Sequence, residues 1–263
     1  MNVFEAIFLG ILQGITEFLP ISSSGHLVLA EYFLHLREGG LAFDVILHMG
    51  TLVAVLAFFL RDWLSMFGSL FPGSKDEASR RLFVLLLMGT VPGAVAGFFL
   101  EHAASTYFRS PWVVVGTLSG VALLLFWADR KALQKKDLDH IGLRDGLLIG
   151  VSQALAIVPG VSRSGITMTC ALCLGLTREA AARFSFLLSA PIIAGAGLYE
   201  TVKLARHGFA GVDSNYLVGF LASAISGYLV IAFLMNYLKR HTFMPFVIYR
   251  LILAAVVAFI LIF

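Results

Sequence analysis

Charge is scarce in this sequence: Asp, Glu, Lys and Arg make up 13% of its 263 residues, against 59% hydrophobic residues and a mean hydropathy of +0.90. A soluble domain carries about 25% charged residues because water must solvate its surface. The deficit excludes an ordinary soluble enzyme and makes lipid the main solvent. Cysteine is nearly missing as well. Cys170 and Cys173, three apart on an apolar run, read as small packing residues rather than a disulfide framework or a redox pair. No large excess of one sign is present either. The net charge of +3 points to no nucleic acid, since basic loops on a membrane chain are orientation signals. The start, Met1-Asn2-Val3-Phe4-Glu5, lacks the basic flank and cleavage site of a signal peptide and is expected to be retained.

Long apolar runs are what the chain has in abundance. Six of them, near 42–60, 82–100, 112–129, 182–202, 214–237 and 244–263, are each able to cross a hydrocarbon core roughly 30 Å thick. Two more, near 3–36 and 145–178, are broken by Pro20-Ile21-Ser22-Ser23-Ser24-Gly25 and by Pro159-Gly160-Val161-Ser162-Arg163-Ser164-Gly165. Irregular backbone at membrane depth must be buried in protein or line a wet cavity. Each broken run is therefore predicted to enter and leave on one side, as a re-entrant helical hairpin.

The two breaks are copies of one another. A shift of 140 residues superposes Gly10 on Gly150, Gln13 on Gln153, Ser22 on Ser162, Ser24 on Ser164 and Gly25 on Gly165. The expected fold is an all-α polytopic membrane protein, a single membrane domain over 1–263 with six transmembrane helices and two re-entrant hairpins. Its first repeat covers 1–130 and its second 145–263, each a hairpin plus three spans. Three crossings invert the second repeat, the arrangement that places a transporter's site at the repeat interface. Arg61, Lys75, Arg80, Arg81, Arg130, Lys131, Lys135, Lys136, Arg144, Lys239 and Arg240 fall on one side; Arg37, Arg109, Lys203 and Arg206 fall on the other. The richer side is expected to be cytoplasmic, with both termini and the first hairpin outside.

Ionisable residues inside membrane segments are costly and are functional candidates for that reason. Glu17, His26 and Arg163 qualify, weighed against a structural ion pair. Gln13 and Glu17 share a helix face. That carboxylate suits either a divalent cation or a partner for His26, though one carboxylate and one amide make a weak metal site that phosphate oxygens and water would have to complete. Ser22, Ser23 and Ser24 lead into a helix start, where free N–H groups and the positive dipole end favour a phosphate, and a serine activated by an imidazole can attack phosphorus. Ser22 reads more simply as a helix cap. Arg163, between Ser162 and Ser164 and ahead of Gly165, offers the bidentate group suited to phosphate, with Glu17, a substrate phosphate, or each in turn as its partner. Asp44 and His48 share a face of the first span; lining the same cavity is one reading, and hydrogen bonding between helices is the simpler role, as it is for Tyr249 and Arg250 on the last. Gly89, Gly93 and Gly97 read as a close-packing stripe.

Gln13-Gly-Ile-Thr-Glu17-Phe-Leu-Pro20-Ile-Ser-Ser23-Ser-Gly-His26, together with Pro159-Gly-Val-Ser-Arg163-Ser-Gly165 and Pro245-Phe-Val-Ile-Tyr249-Arg250, resembles the bacterial undecaprenyl-diphosphatase family, also called bacitracin resistance proteins. The resemblance covers essentially the whole chain. It implies hydrolysis of undecaprenyl diphosphate to the monophosphate carrier of peptidoglycan synthesis, in the bacterial inner membrane, at an outward-facing site. It implies Ser23 as nucleophile, His26 as its acid/base partner, Glu17 as a further catalytic group, and Arg163 as the diphosphate-binding residue. Ser22, Ser24, Ser162, Ser164 and Gly165 are expected around the same diphosphate. A divalent cation, Mg2+ or Ca2+, is implied on Glu17 and Gln13, and a homodimer is compatible with it. The competing reading is a carrier that flips a polyprenyl phosphate.

Overall fold

Lipid offers no hydrogen bonds to the backbone, so segments this apolar are stable only as helices that satisfy their own polar groups. The computed structural model describes residues 2–34, 40–108, 110–207 and 214–263, and among them it contains no named strand. The α-helices are α1 (Val3–Phe18), α2 (Ser23–Leu34), α3 (Gly40–Phe58), α4 (Leu60–Gly68), α5 (Glu77–Thr106), α6 (Pro111–Lys131), α7 (Leu143–Gln153), α8 (Arg163–Cys173), α9 (Arg178–His207), α10 (Ser214–Leu238) and α11 (Met244–Ile262). Local chemistry sets several starts. Asn2 Oδ1 accepts from Glu5 N and Glu5 Oε2 accepts from Asn2 N, both at 2.9 Å, a reciprocal cap that begins α1. Asp145 accepts from Gly142 N at 3.1 Å to begin α7, and Pro111 opens α6 where a missing N–H does no harm.

Among the described residues, five helices contain segments long and apolar enough to cross a membrane: Glu77–Leu100, Pro111–Lys131, Arg178–Val202, Ser214–Leu238 and Met244–Ile262. The expected 42–60 run ends at Phe58, where the chain bends by 73° into α4, and the bent pair makes a sixth candidate. The chain is a multi-pass membrane protein. Its outward apolar side chains fit that solvent, Phe98 and Phe99 being 72% and 74% exposed. Helix α9 is the exception: 61% of its span is buried, against 22% for α5, so it runs through the middle of the bundle.

Small residues set the tightest packing, as expected where close backbone approach replaces the hydrophobic effect. A Cβ on Gly14 of α1 would stand 2.6 Å from Ser223 O and 2.7 Å from Gly227 N of α10. Gly89 of α5 meets Gly146 O of α7, and Gly93 meets Gln153, while nothing lies within 4 Å of Gly97. The stripe therefore packs at two of its three positions. The pairings form a pattern. α1 lies on α10 and α7 on α5; α3 lies on α10 and α9 on α5; α3 meets α9 and α6 meets α11.

Most of the richer basic set gathers at one end of the bundle. There Arg81 donates to Asp139 O at 2.8 Å and also to Ile141 O, Lys136 pairs with Asp145 at 3.2 Å, Arg183 pairs with Asp62, and Arg178 pairs with Asp129 at 2.6 Å. Arg37 and Arg109 lie outside the described residues, as do the side chains of Lys203 and Arg206.

Candidate active site

The two broken runs appear where the sequence predicts them, between α1 and α2 and between α7 and α8, the second preceded by a short 3-10 turn over Ala154–Ile157. Their turns are the same object built twice. Ser22 and Ser162 adopt left-handed φ values of 78° and 74°, a conformation a side chain rarely takes without compensation. The compensation is local. Ser22 Oγ accepts from Gly25 N at 3.2 Å and Ser162 Oγ from Gly165 N at 3.1 Å; Ser22 O accepts from His26 N at 3.2 Å and Ser162 O from Ile166 N at 2.9 Å. The hydroxyl pairs repeat as well, Ser22 to Ser24 at 3.3 Å and Ser162 to Ser164 at 3.2 Å.

The turns meet. Ser164 Oγ donates to Leu19 O at 3.0 Å, and a Cβ on Gly25 would lie 3.1 Å from Gly160 Cα. Arg250 of α11, fully buried, ties them: its guanidinium donates to Pro20 O at 3.1 Å in the first turn and to Gly160 O at 2.9 Å and Val161 O at 3.2 Å in the second. Gly165 packs against this guanidinium, which a Cβ would approach to 3.3 Å. Ser22, Ser162, Ser164 and Gly165 thus build the turns that carry the reactive groups.

Glu17 is the hub of those groups. Only 7% exposed, it accepts from Arg163 Nη2 at 2.7 Å on Oε1, and from Ser23 Oγ at 2.7 Å and Gln13 Nε2 at 3.0 Å on Oε2. Arg163 also donates through Nη1 to Ser185 O at 3.1 Å. Ser185 Oγ shares a 2.7 Å hydrogen bond with Thr167, so α9 supports the arginine from behind. A hydroxyl on a carboxylate, and that carboxylate on a guanidinium, is an arrangement able to take a proton from the serine while a cation stands ready for an anion.

His26 stands apart from this chain. Its Nδ1 donates to Ser22 O at 2.7 Å, so Nε2 is free to accept, and the Tyr249 hydroxyl lies 2.7 Å from Nε2 over rings stacked at 7°. The structure brings together Gln13, Glu17, Ser23 and Arg163, and places His26 with Tyr249 instead. His48 also reaches the hub, with Nε2 at 3.7 Å from Glu17 Oε2. Sequence reading assigned His48, Tyr249 and Arg250 to helix contacts because nothing in a span's apolar pattern says which face meets a distant turn.

The sequence profile of the family described as bacitracin resistance protein BacA matches residues 6–256. The chain belongs to this family. Similar proteins called undecaprenyl-diphosphatase include that of Moorella thermoacetica, 48% identical over 259 residues, which span 98% of this chain and 97% of the relative. That of Desulforudis audaxviator is 49% identical over 98% of this chain and 97% of its own length. That of Rubrobacter xylanophilus is 47% identical over 99% of both.

In this BacA-family chain, Glu17 and Gln13 do not fit a resident metal. Both oxygens of Glu17 are occupied by donors, and of the expected pair only Gln13 Oε1 is without a partner. A hard divalent cation takes about six or more oxygens. Among the described residues no cluster of three or more His, Cys, Asp or Glu is placed to hold one.

Proposed function

We propose that the protein is an undecaprenyl-diphosphate phosphatase, releasing undecaprenyl phosphate and inorganic phosphate, recycling the carrier for peptidoglycan synthesis and so conferring bacitracin resistance. The observation that carries the residue roles is the Ser23–Glu17–Arg163 chain, met at the junction of two broken helices. A diphosphate arriving at the starts of α2 and α8 draws the Arg163 guanidinium away from Glu17. The carboxylate, released from its cation, becomes a better base. Ser23 Oγ passes its proton to Glu17 and forms a bond to the terminal phosphorus, and the bond to the bridging oxygen breaks, leaving that oxygen on undecaprenyl phosphate. Water then attacks the phosphoserine, its proton taken by His26 once the Tyr249 hydroxyl turns aside, and phosphate leaves as Ser23 recovers its proton from Glu17. Arg163 and the N–H groups at the two helix starts steady the charge that spreads over the phosphoryl oxygens. A divalent cation, Mg2+ or Ca2+, enters on this reading as a companion of the diphosphate, held by phosphate oxygens and water, and supplies neutralisation of their charge.

A carrier that flips a polyprenyl phosphate needs no hydroxyl poised on a carboxylate, and explains less of this geometry. The test is phosphate release from a polyprenyl diphosphate by the purified protein. Wild type is expected to release it, and Ser23→Ala and Glu17→Gln to abolish release while remaining folded. Absence of release by wild type sinks the phosphatase reading. Full activity in Ser23→Ala sinks attack by serine, as does rapid-quench labelling that finds phosphate on another residue.

We further infer two inverted repeats, 1–130 and 145–263, each opening with a re-entrant hairpin. Three observations support this. The two turns share φ, caps and hydroxyl pairs, and exchanging the halves maps the α1–α10 pairing onto α7–α5 and α3–α10 onto α9–α5. The chain leaving α8 also returns to where α7 begins, with Lys135 N and Lys136 N on Gly175 O at 3.0 Å and Thr177 N on Lys136 O at 2.9 Å. By the positive-inside rule we read the end where the basic residues gather as cytoplasmic, with both termini and the opening of the site on the outer face of the bacterial inner membrane.

A further inference from the structure

In the proposed reaction one guanidinium must serve two anions. Arg163 holds Glu17 at 2.7 Å before substrate arrives, and the diphosphate competes for it. The carboxylate then loses its firmest donor, and to serve as the base for Ser23 it must be held in place by others. Gln13, donating to Oε2 at 3.0 Å, is one. A second stands on α3, a helix outside both broken runs: His48.

The orientation of His48 is fixed by its own helix. Nδ1 lies 2.7 Å from Asp44 O, which turns the other ring nitrogen toward the hub. Nε2 lies 3.7 Å from Glu17 Oε2. An N–H there would face that oxygen, and an approach of roughly 1 Å would bring the pair to hydrogen-bond distance. With 36% of its side chain exposed, His48 has room for that movement.

We propose that His48 is the positioning residue that takes over Glu17 as Arg163 turns to the diphosphate, holding Oε2 on Ser23 throughout the first step. This rests on the phosphatase reading above. The site would then draw on three places in the fold: the first turn for the serine and carboxylate, the second for the guanidinium, and α3 for the side chain that keeps the carboxylate in place.

The experiment compares wild type, His48→Ala and His48→Gln, purified in detergent, in kcat and KM for a polyprenyl diphosphate, with thermal unfolding of each variant as the folding control. His48→Ala is expected to lose kcat by about 10- to 100-fold, the scale of a misplaced reacting group, with KM changed by less than about threefold. His48→Gln, whose amide N–H reaches toward the same oxygen, is expected to recover most of kcat. Wild-type kcat in His48→Ala overturns the proposal. So does a folded His48→Gln as impaired as the alanine variant, or a loss confined to KM, which would make His48 a substrate contact. Failure of wild type to release phosphate is a separate result and overturns the phosphatase reading itself.

Discussion

Replacing Arg250 with methionine is expected to loosen both broken turns at once. The guanidinium donates to five carbonyls, but those of Thr117 and Leu118 belong to α6 and keep their own helical partners. The other three, Pro20 O, Gly160 O and Val161 O, lie in the turns outside any helical ladder. A buried acceptor left without a donor costs about 1–3 kcal/mol. Three of them make a loss of at least roughly 3 kcal/mol, partly offset because methionine needs no desolvation of charge. Against a total stability of about 5–15 kcal/mol that loss is large. Lysine brings donors but not the planar fork, so Arg250→Lys should fall between the two. The assay is equilibrium unfolding in a mild detergent, alongside phosphate release at a temperature where each variant is folded. Arg250→Met should unfold earlier and lose activity even while folded, because Ser23 and Arg163 each sit directly after a turn that Arg250 fixes. An unchanged unfolding midpoint with wild-type kcat would refute the reasoning.

Gly160→Ala should destabilise and inactivate, because φ there is +88° and a Cβ would stand 3.0 Å from Val114 O and crowd Thr117. Gly175→Ala is its control: φ is +90° with nothing within 4 Å, so unfolding should shift by about 1 kcal/mol with kcat intact. Asp129→Ala removes the partner of Arg178, at 2.6 Å, and of Phe243 N, at 3.1 Å. Breaking such a partly buried pair should cost up to about 3 kcal/mol in unfolding while activity per folded molecule is unchanged. Titration calorimetry should find Mg2+ or Ca2+ binding weak without substrate and tightened by a non-hydrolysable diphosphate; tight binding to the protein alone would restore Gln13 and Glu17 as ligands.

Much of the architecture was legible because apolar length and broken periodicity report directly on solvent. Five spans emerge close to the expected residues, and both breaks fall between the helices that flank them. The 42–60 run misled at its end, since Phe59 and Leu60 continue the apolar pattern while the backbone turns by 73°. At the site, Gln13 with Glu17 and the serine turns were readable from local spacing. The Glu17–Arg163 contact was foreseen as one of three options, from the cost of an unpaired arginine. His26 was legible only in part. Proximity to Ser23 along the chain suggested a serine–histidine pair, but helix phase points the ring to Tyr249, 223 residues away. Arg250 was read as a helix contact, but its hold on both turns was not legible, its partners being backbone carbonyls that carry no side-chain signal.

The proposed repeats keep one frame and divide the chemistry between them. Under the same 140-residue shift Glu17 falls on Ile157, Ser23 on Arg163 and His26 on Ile166, while the capping serines and glycines stay. The first copy keeps an anion with no cation of its own, and the second a cation with no anion. Neither is tolerable alone at membrane depth. Their 2.7 Å contact therefore binds the halves together in the resting protein and leaves each charged group dependent on the other. Gln153 bears the mark of the exchange: Gln13 has Glu17 four residues on, Gln153 has Ile157, and both polar atoms of the Gln153 amide are buried without a partner. A symmetric pair of turns would place like groups face to face. Divergence at three positions replaces that repulsion with an ion pair, and in the proposed reaction the diphosphate opens it, so that substrate binding and activation of Ser23 become the same event.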